Sequence, residues 1–140
     1  MSYVKKFDSD VKKFNKMYKL SESEDPKVRI GKFMSIISEE VLEGADIMVK
    51  AHKDDPEWKT DMADWLGDII VYCASELGRY QIPIGETLNI IMDSNFSKLD
   101  ANGNPIYDER GKVMKGPDYK KPEPTLAKML ETGKYNGKLV

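Results

Sequence analysis

Cysteine and histidine each occur once in this chain, and long apolar runs are missing altogether. A lone Cys73 rules out an intrachain disulfide and excludes zinc sites built from several thiolates. Its neighbours Ile69, Ile70, Val71 and Tyr72 are mostly apolar, so the thiol is expected in the core. The single histidine, His52, stands near the predicted end of a helix, where a surface position is the ordinary expectation. Serine or cysteine nucleophiles would lack a suitable base. A ferritin-like di-iron centre needs Glu-x-x-His pairs, and Val49 stands three residues before His52. No stretch approaches the ~20 apolar residues that cross a bilayer, and the charged start lacks the apolar segment of a signal peptide. The chain is therefore expected in the cytoplasm, away from membranes. A strong excess of one charge is missing too: the net −2 gives no electrostatic ground for nucleic-acid binding.

What is present is ordinary globular material, 140 residues with 40% hydrophobic and 33% charged side chains, enough for one modest core. One domain over 1–140 is expected, all-α, with a helical core over about 2–98 and an irregular segment over about 99–140. Val4, Phe7, Val11, Phe14 and Met17 or Tyr18 recur at helical spacing behind Ser2 as N-cap. The polar stretch from Ser21 to Glu24 interrupts that pattern. Asp25-Pro26 then starts a long second helix to about Lys50, burying Ile30, Met34, Ile37, Val41, Ala45 and Met48. Asp55-Pro56 starts a third, with Met62, Leu66, Ile69, Cys73 and Leu77 on one face and Gly78 near its end. Pro83 opens a fourth, fading near Phe96. Past Lys98, turn residues dominate. A short β-hairpin is expected where Ile106-Tyr107 and Lys112-Val113-Met114 flank Asp108 to Gly111, and a last helical turn or two over Thr125 to Leu130.

Acids concentrate between Glu39 and Asp68, bases between Lys98 and Lys121. On a helical wheel Ile36, Glu40, Glu43 and Ile47 fall on one stripe, with Glu39 beside Glu43. Asp61, Asp64, Asp68 and Tyr72 form a matching stripe on the third helix. Any one such carboxylate ordinarily faces solvent. Several together at the edge of apolar faces are expensive unless a cation neutralises them. If the two helices pack antiparallel, four to six carboxylates converge, an oxygen-only donor set suited to Mg²⁺ or Mn²⁺.

The run Glu39-Glu40-Val41-Leu42-Glu43 followed by Asp64-Trp65-Leu66-Gly67-Asp68 resembles the E-E-x-x-E and E-x-x-D motifs of the all-α nucleoside triphosphate pyrophosphohydrolases. That superfamily includes MazG and phosphoribosyl-ATP pyrophosphohydrolase. Ser94 to Lys98 and Gly111 to Tyr119 are similar to its small stand-alone members from phage and bacteria. Trp65 departs from the pattern, standing where the family has Glu, so Asp64 or Asp61 would take that place. The resemblance implies a MazG-like bundle of four to five helices that hydrolyses a nucleoside triphosphate to its monophosphate and pyrophosphate. It implies Glu40, Glu43 and Asp68 as metal ligands with Asp64 and then Asp61, two or more Mg²⁺ or Mn²⁺ ions, and Glu39 orienting or deprotonating the attacking water. Asn95, Lys98 and Lys115 would grip polyphosphate, and Tyr119 would touch base or sugar. It further implies a homodimer or dimer of dimers, and leans to a purine deoxynucleotide such as dGTP or dATP. Two alternatives stand beside it: phosphoribosyl-ATP as substrate, or a non-enzymatic helical interaction protein with a structural divalent cation.

Overall fold

The computed structural model describes residues 2–20 and 25–140, so the interruption expected at Ser21 to Glu24 lies outside the described residues. Among the described residues six helices follow one another: α1 (Tyr3–Met17), α2 (Pro26–Leu42), α3 (Gly44–Lys50), α4 (Glu57–Arg79), α5 (Ile84–Phe96) and α6 (Glu123–Thr132). The fold is all-α, and the chain divides into two compact units, Met1–Gln81 and Ile82–Val140. Among the described residues no helix is long and apolar enough to cross a membrane.

In the first unit the helices begin where the sequence signals them. Ser2 Oγ accepts from the Lys5 N–H at 3.2 Å, Asp25 Oδ1 from the Lys27 N–H at 2.9 Å, and Asp55 Oδ1 from the Glu57 N–H at 3.0 Å. Each satisfies one of the amide donors that a helix start leaves over. Helix α4 is the shared partner, packing against α1, α2 and α3. Against α1, Asn15 Nδ2 donates to the Ser75 carbonyl at 3.0 Å and Ser75 Oγ donates to Asn15 Oδ1 at 2.6 Å. Both residues are buried beside Val11 and Ala74. Gly78 permits this approach, because a Cβ there would lie 2.7 Å from Asn15 Nδ2.

Helix α2 meets α4 at two levels. Near its start Arg29 pairs with Glu76, Nε lying 3.1 Å from each carboxylate oxygen, and Arg79 Nε lies 3.1 Å from Glu76 Oε1. Near its end Glu40 meets Trp65, whose indole N–H donates to the Glu40 carbonyl at 2.7 Å. As α2 advances from 29 to 40, α4 recedes from 76 to 65, so the pair is antiparallel as expected.

Three expectations need correction here. The second helix does not run unbroken to Lys50; it stops at Leu42 and resumes at Gly44. The cause is Trp65. Its indole occupies the Glu40 carbonyl, and its ring sits so close to Gly44 that a Cβ there would fall 2.5 Å from Cζ2. Glu43 and Asp46 instead donate to carbonyls three residues back, at 3.2 Å each. A side chain inserted into the i→i−4 ladder is a recognised cause of a helix kink. The apolar face of α2 and α3 is also not buried within the chain: Ile37 is half-buried, but Ile30, Met34, Val41, Ala45 and Met48 are exposed. Cys73 is exposed as well, because the side of α4 turned to α1 carries Ala74 and Ser75 instead.

The second unit is built on α5 and α6, which bury Ile84, Ile90 and Met129. Ser94 Oγ donates to the Lys120 carbonyl at 2.7 Å, and Tyr135 Oη donates to Asp93 Oδ2 at 2.5 Å. Burial and that carboxylate push the Tyr135 phenol up to about 12. Helix α6 is longer than Thr125 to Leu130, and ends at Gly133 in the left-handed conformation, φ 73°. The expected hairpin is reduced to one antiparallel bridge, Tyr107 to Val113, and there is no strand among the described residues. The turn itself is well made. Asp108 Oδ1 accepts from the Arg110 and Lys112 N–H groups at 2.8 Å each, and the Lys112 bond leads in holding its carboxyl below the usual range. Beyond Lys115 the chain is committed elsewhere, with Gly116 pressed on the Leu99 carbonyl where a Cβ would come within 1.7 Å.

Asn15→Ala strands the Ser75 hydroxyl in a buried site, so it should cost about 1–3 kcal/mol of stability. Urea unfolding of the variant beside the parent checks this.

Candidate active site

The acidic stripes of α2 and α4 meet in the first unit. Glu40 is almost covered, at 9% exposure. Its carboxyl is raised above the usual range, first by burial and then by Glu43, Asp68 and Asp64, with a hydrogen bond that the protonated Glu40 carboxyl donates to Glu43 adding to the effect. Burial disfavours a charge, and like charges disfavour it again. These four acids, which the two motifs picked out separately, therefore lie within one electrostatic neighbourhood.

Beside them opens a cleft of about 360 Å³ lined by Glu43, Asp46, Ile47, Lys50, Asp61, Asp64, Trp65 and Asp68. Five carboxylates thus face one ammonium group. Asp46 and Lys50 were not singled out from the sequence, although Glu43, Asp46 and Lys50 recur at helical spacing and could have been found that way. Glu39 is exposed and does not line the cleft. Of the two acids that could stand in for the family's Glu at Trp65, Asp64 acts on Glu40 directly, whereas Asp61 lines the cleft without contributing to that shift.

The donor chemistry fits a hard divalent cation: oxygen ligands and surplus negative charge beside a nearly covered acid. The coordination geometry is not ready-made, since among the described residues no three of the His, Cys, Asp and Glu side chains are arranged to hold an ion. Mutual repulsion favours conformers that keep such carboxylate tips apart.

The residues expected to grip the substrate fall in the second unit. Lys98 and Lys115 flank the Tyr119 ring, their Nζ atoms 6.0 and 4.9 Å from its centre, within cation–π range. Asn95 lies on α5, exposed, with its carbonyl accepting from the Lys98 N–H at 3.2 Å.

No family model matches the chain, and no curated protein matches it. Among solved structures, the chain is similar to a crystal structure of a "putative NTP pyrophosphohydrolase" from Exiguobacterium sp. 255-15. The likeness has a TM-score of 0.51 at 20% sequence identity and covers 91% of this chain and 95% of that one. The chain thus shares its all-α fold with that protein.

Because the Glu40 carboxyl is raised on folding, the native chain binds more protons than the unfolded one between the two pKa values. Without divalent ions its stability should therefore fall as pH climbs through the carboxylate range. Glu40→Gln should flatten that fall and raise the melting temperature of the ion-free protein at pH 7. Thermal melts in chelator between pH 4 and 8 test both signs.

Proposed function

We propose that the chain is a divalent-cation-dependent nucleoside triphosphate pyrophosphohydrolase, converting an NTP and water to the monophosphate and pyrophosphate. The observation that carries the reading is the nearly covered Glu40 crowded by Glu43, Asp64 and Asp68 from two antiparallel helices. Its support is the fold shared with a protein described as a hydrolase of this kind.

In this reading Glu40, Glu43 and Asp68, with Asp64 in the place of the family's missing Glu, would hold two or more Mg²⁺ or Mn²⁺ ions. When bound, these ions supply neutralisation of the polyphosphate and a bound water of lowered pKa. The chain's own residues do the positioning. Trp65 fixes the Glu40 backbone and kinks the helix at Glu43, setting where both carboxylates start. Water attacks the α phosphorus in line, an O–P bond forms, the bond to the bridging oxygen breaks, and pyrophosphate leaves with that oxygen. Asp46 and Asp61 line the cleft outside the Glu40 cluster, and either can take the proton the water gives up. The resemblance gives this role to Glu39, which does not line the cleft. Such catalysis is mostly positioning and electrostatics.

A purine deoxynucleotide is the favoured substrate, with phosphoribosyl-ATP the main rival. Pyrophosphate release over the eight common NTPs and dNTPs plus phosphoribosyl-ATP, with Mg²⁺ or Mn²⁺, separates them. Release from none would leave the non-enzymatic alternative standing. Glu43→Ala should lower turnover by about a hundredfold or more while the far-ultraviolet spectrum is unchanged. Near-full activity would remove the site assignment.

The partner proposed for the chain, besides nucleotide, is a second copy of itself. Ile30, Met34, Val41 and Met48 are each more than half or half exposed along α2 and α3, an apolar stripe of the kind monomers rarely leave open. Light scattering at micromolar protein should return a dimer or tetramer mass; a monomer would refute self-association.

A further inference from the structure

The acidic cleft of the first unit contains one residue that its acids do not explain. Lys50, the last residue of α3, lines it beside Glu43, Asp46, Asp61, Asp64 and Asp68, and is the one base on that wall. Asp46 stands four residues before it, the spacing and order in which an acid and a lysine attract on a helix. On α1 such spacing closes: Lys6 Nζ lies 2.5 Å from Asp10 Oδ2, and Lys12 Nζ lies 4.0 Å from Asp8 Oδ2. At Lys50 it does not. Among the described residues neither Lys50 nor any of the five acids takes part in an ion pair. Nor is Lys50 among the charges that act on Glu40, so its ammonium lies away from that end of the cleft.

We propose that Lys50 plays two opposed parts: it competes with divalent ions for the carboxylates, and it binds the β and γ phosphates of a bound triphosphate. The inference rests on the pyrophosphohydrolase reading for both the ions and the triphosphate. Charge decides the first part. A cation held among acids weakens the negative potential that draws another cation in, and it does so without touching any one acid. The second part follows from what is left to neutralise. With Lys50 counted, a pair of divalent ions just balances the five acids; without it the wall stays negative and repels a polyphosphate. Lysine suits the task as a compact point charge on a flexible stem, a common binder of phosphate. The Glu40 cluster holds the reacting α phosphorus in this reading. A lysine set apart from Glu40 therefore meets the phosphates that leave as pyrophosphate.

The test is calorimetry on the full chain with two probes, Mn²⁺ alone and inorganic pyrophosphate in saturating Mg²⁺. The parent is compared with Lys50→Met and Lys50→Arg. Lys50 is exposed at a helix end, so both variants should keep the far-ultraviolet spectrum of the parent. Lys50→Met should bind Mn²⁺ roughly threefold to tenfold tighter, the effect of removing a unit charge from a solvated cleft. It should bind pyrophosphate roughly tenfold more weakly, the value of a charge-assisted hydrogen bond. Lys50→Arg keeps the charge and should return both affinities to within about threefold of the parent. Unchanged affinity of Lys50→Met for either probe, as a merely solvated lysine would give, or a loss of both, overturns the proposal. If the parent binds Mn²⁺, such a result leaves the hydrolase reading standing. No Mn²⁺ binding by the parent sinks that reading and this inference together.

Discussion

Crowding of like charge around Glu40 is the constraint from which the rest of the first unit takes its sense. A carboxyl that is nearly covered and faces three other acids is unfavourable in its charged form, and apolar packing would serve stability better. Its neighbours show how the arrangement is held. The backbone of Glu40 is tied to α4 by the Trp65 indole, and the far end of the same helix pair is tied by Arg29 and Glu76. Between those two ties the carboxylates have little choice but to share a space.

Trp65 has a double effect. In the family that the motifs resemble, its position belongs to a carboxylate. Here an indole takes that place, removes one negative charge from the cluster and inserts its N–H into the ladder of the facing helix. The kink at Glu43 follows, and with it the turn that brings Asp46 and Lys50 onto the cleft wall. The missing charge and the reshaped cleft thus go back to one side chain. Gly44 is the complementary residue, since any side chain there would collide with the ring.

The exposed apolar stripe on α2 and α3, together with exposed Cys73, belongs to the same economy. Helix α4 is the one element shared by the other three, so each neighbour can bury only the side it turns toward α4. The opposite sides carry Ile30, Met34 and Met48 into solvent in a single chain. A second copy would give those side chains a partner, which is the physical ground for reading the stripe as an association face.

Local signals carried most of the fold. Ser2, Asp25 with Pro26, Asp55 with Pro56, and Pro83 mark helix starts through interactions a few residues long, and the structure has helices at all four places. The two acidic motifs were equally legible, because helical spacing alone places Glu40 with Glu43 and Asp64 with Asp68 on one side of each helix. Tertiary packing decided the remainder. Which apolar residues are covered depends on how many neighbours a helix has, so the periodicity could name a face for Ile30 or Cys73 but not bury it. The break at Glu43 came from a side chain twenty-two residues further along, and the tie near the start of α2 from pairing Arg29 with Glu76. The sequence alone determined the helices and their acidic stripes, since both depend on neighbours within a turn or two. Only the folded chain decided which residues meet across helices, because a contact between distant residues leaves no periodic trace in either segment.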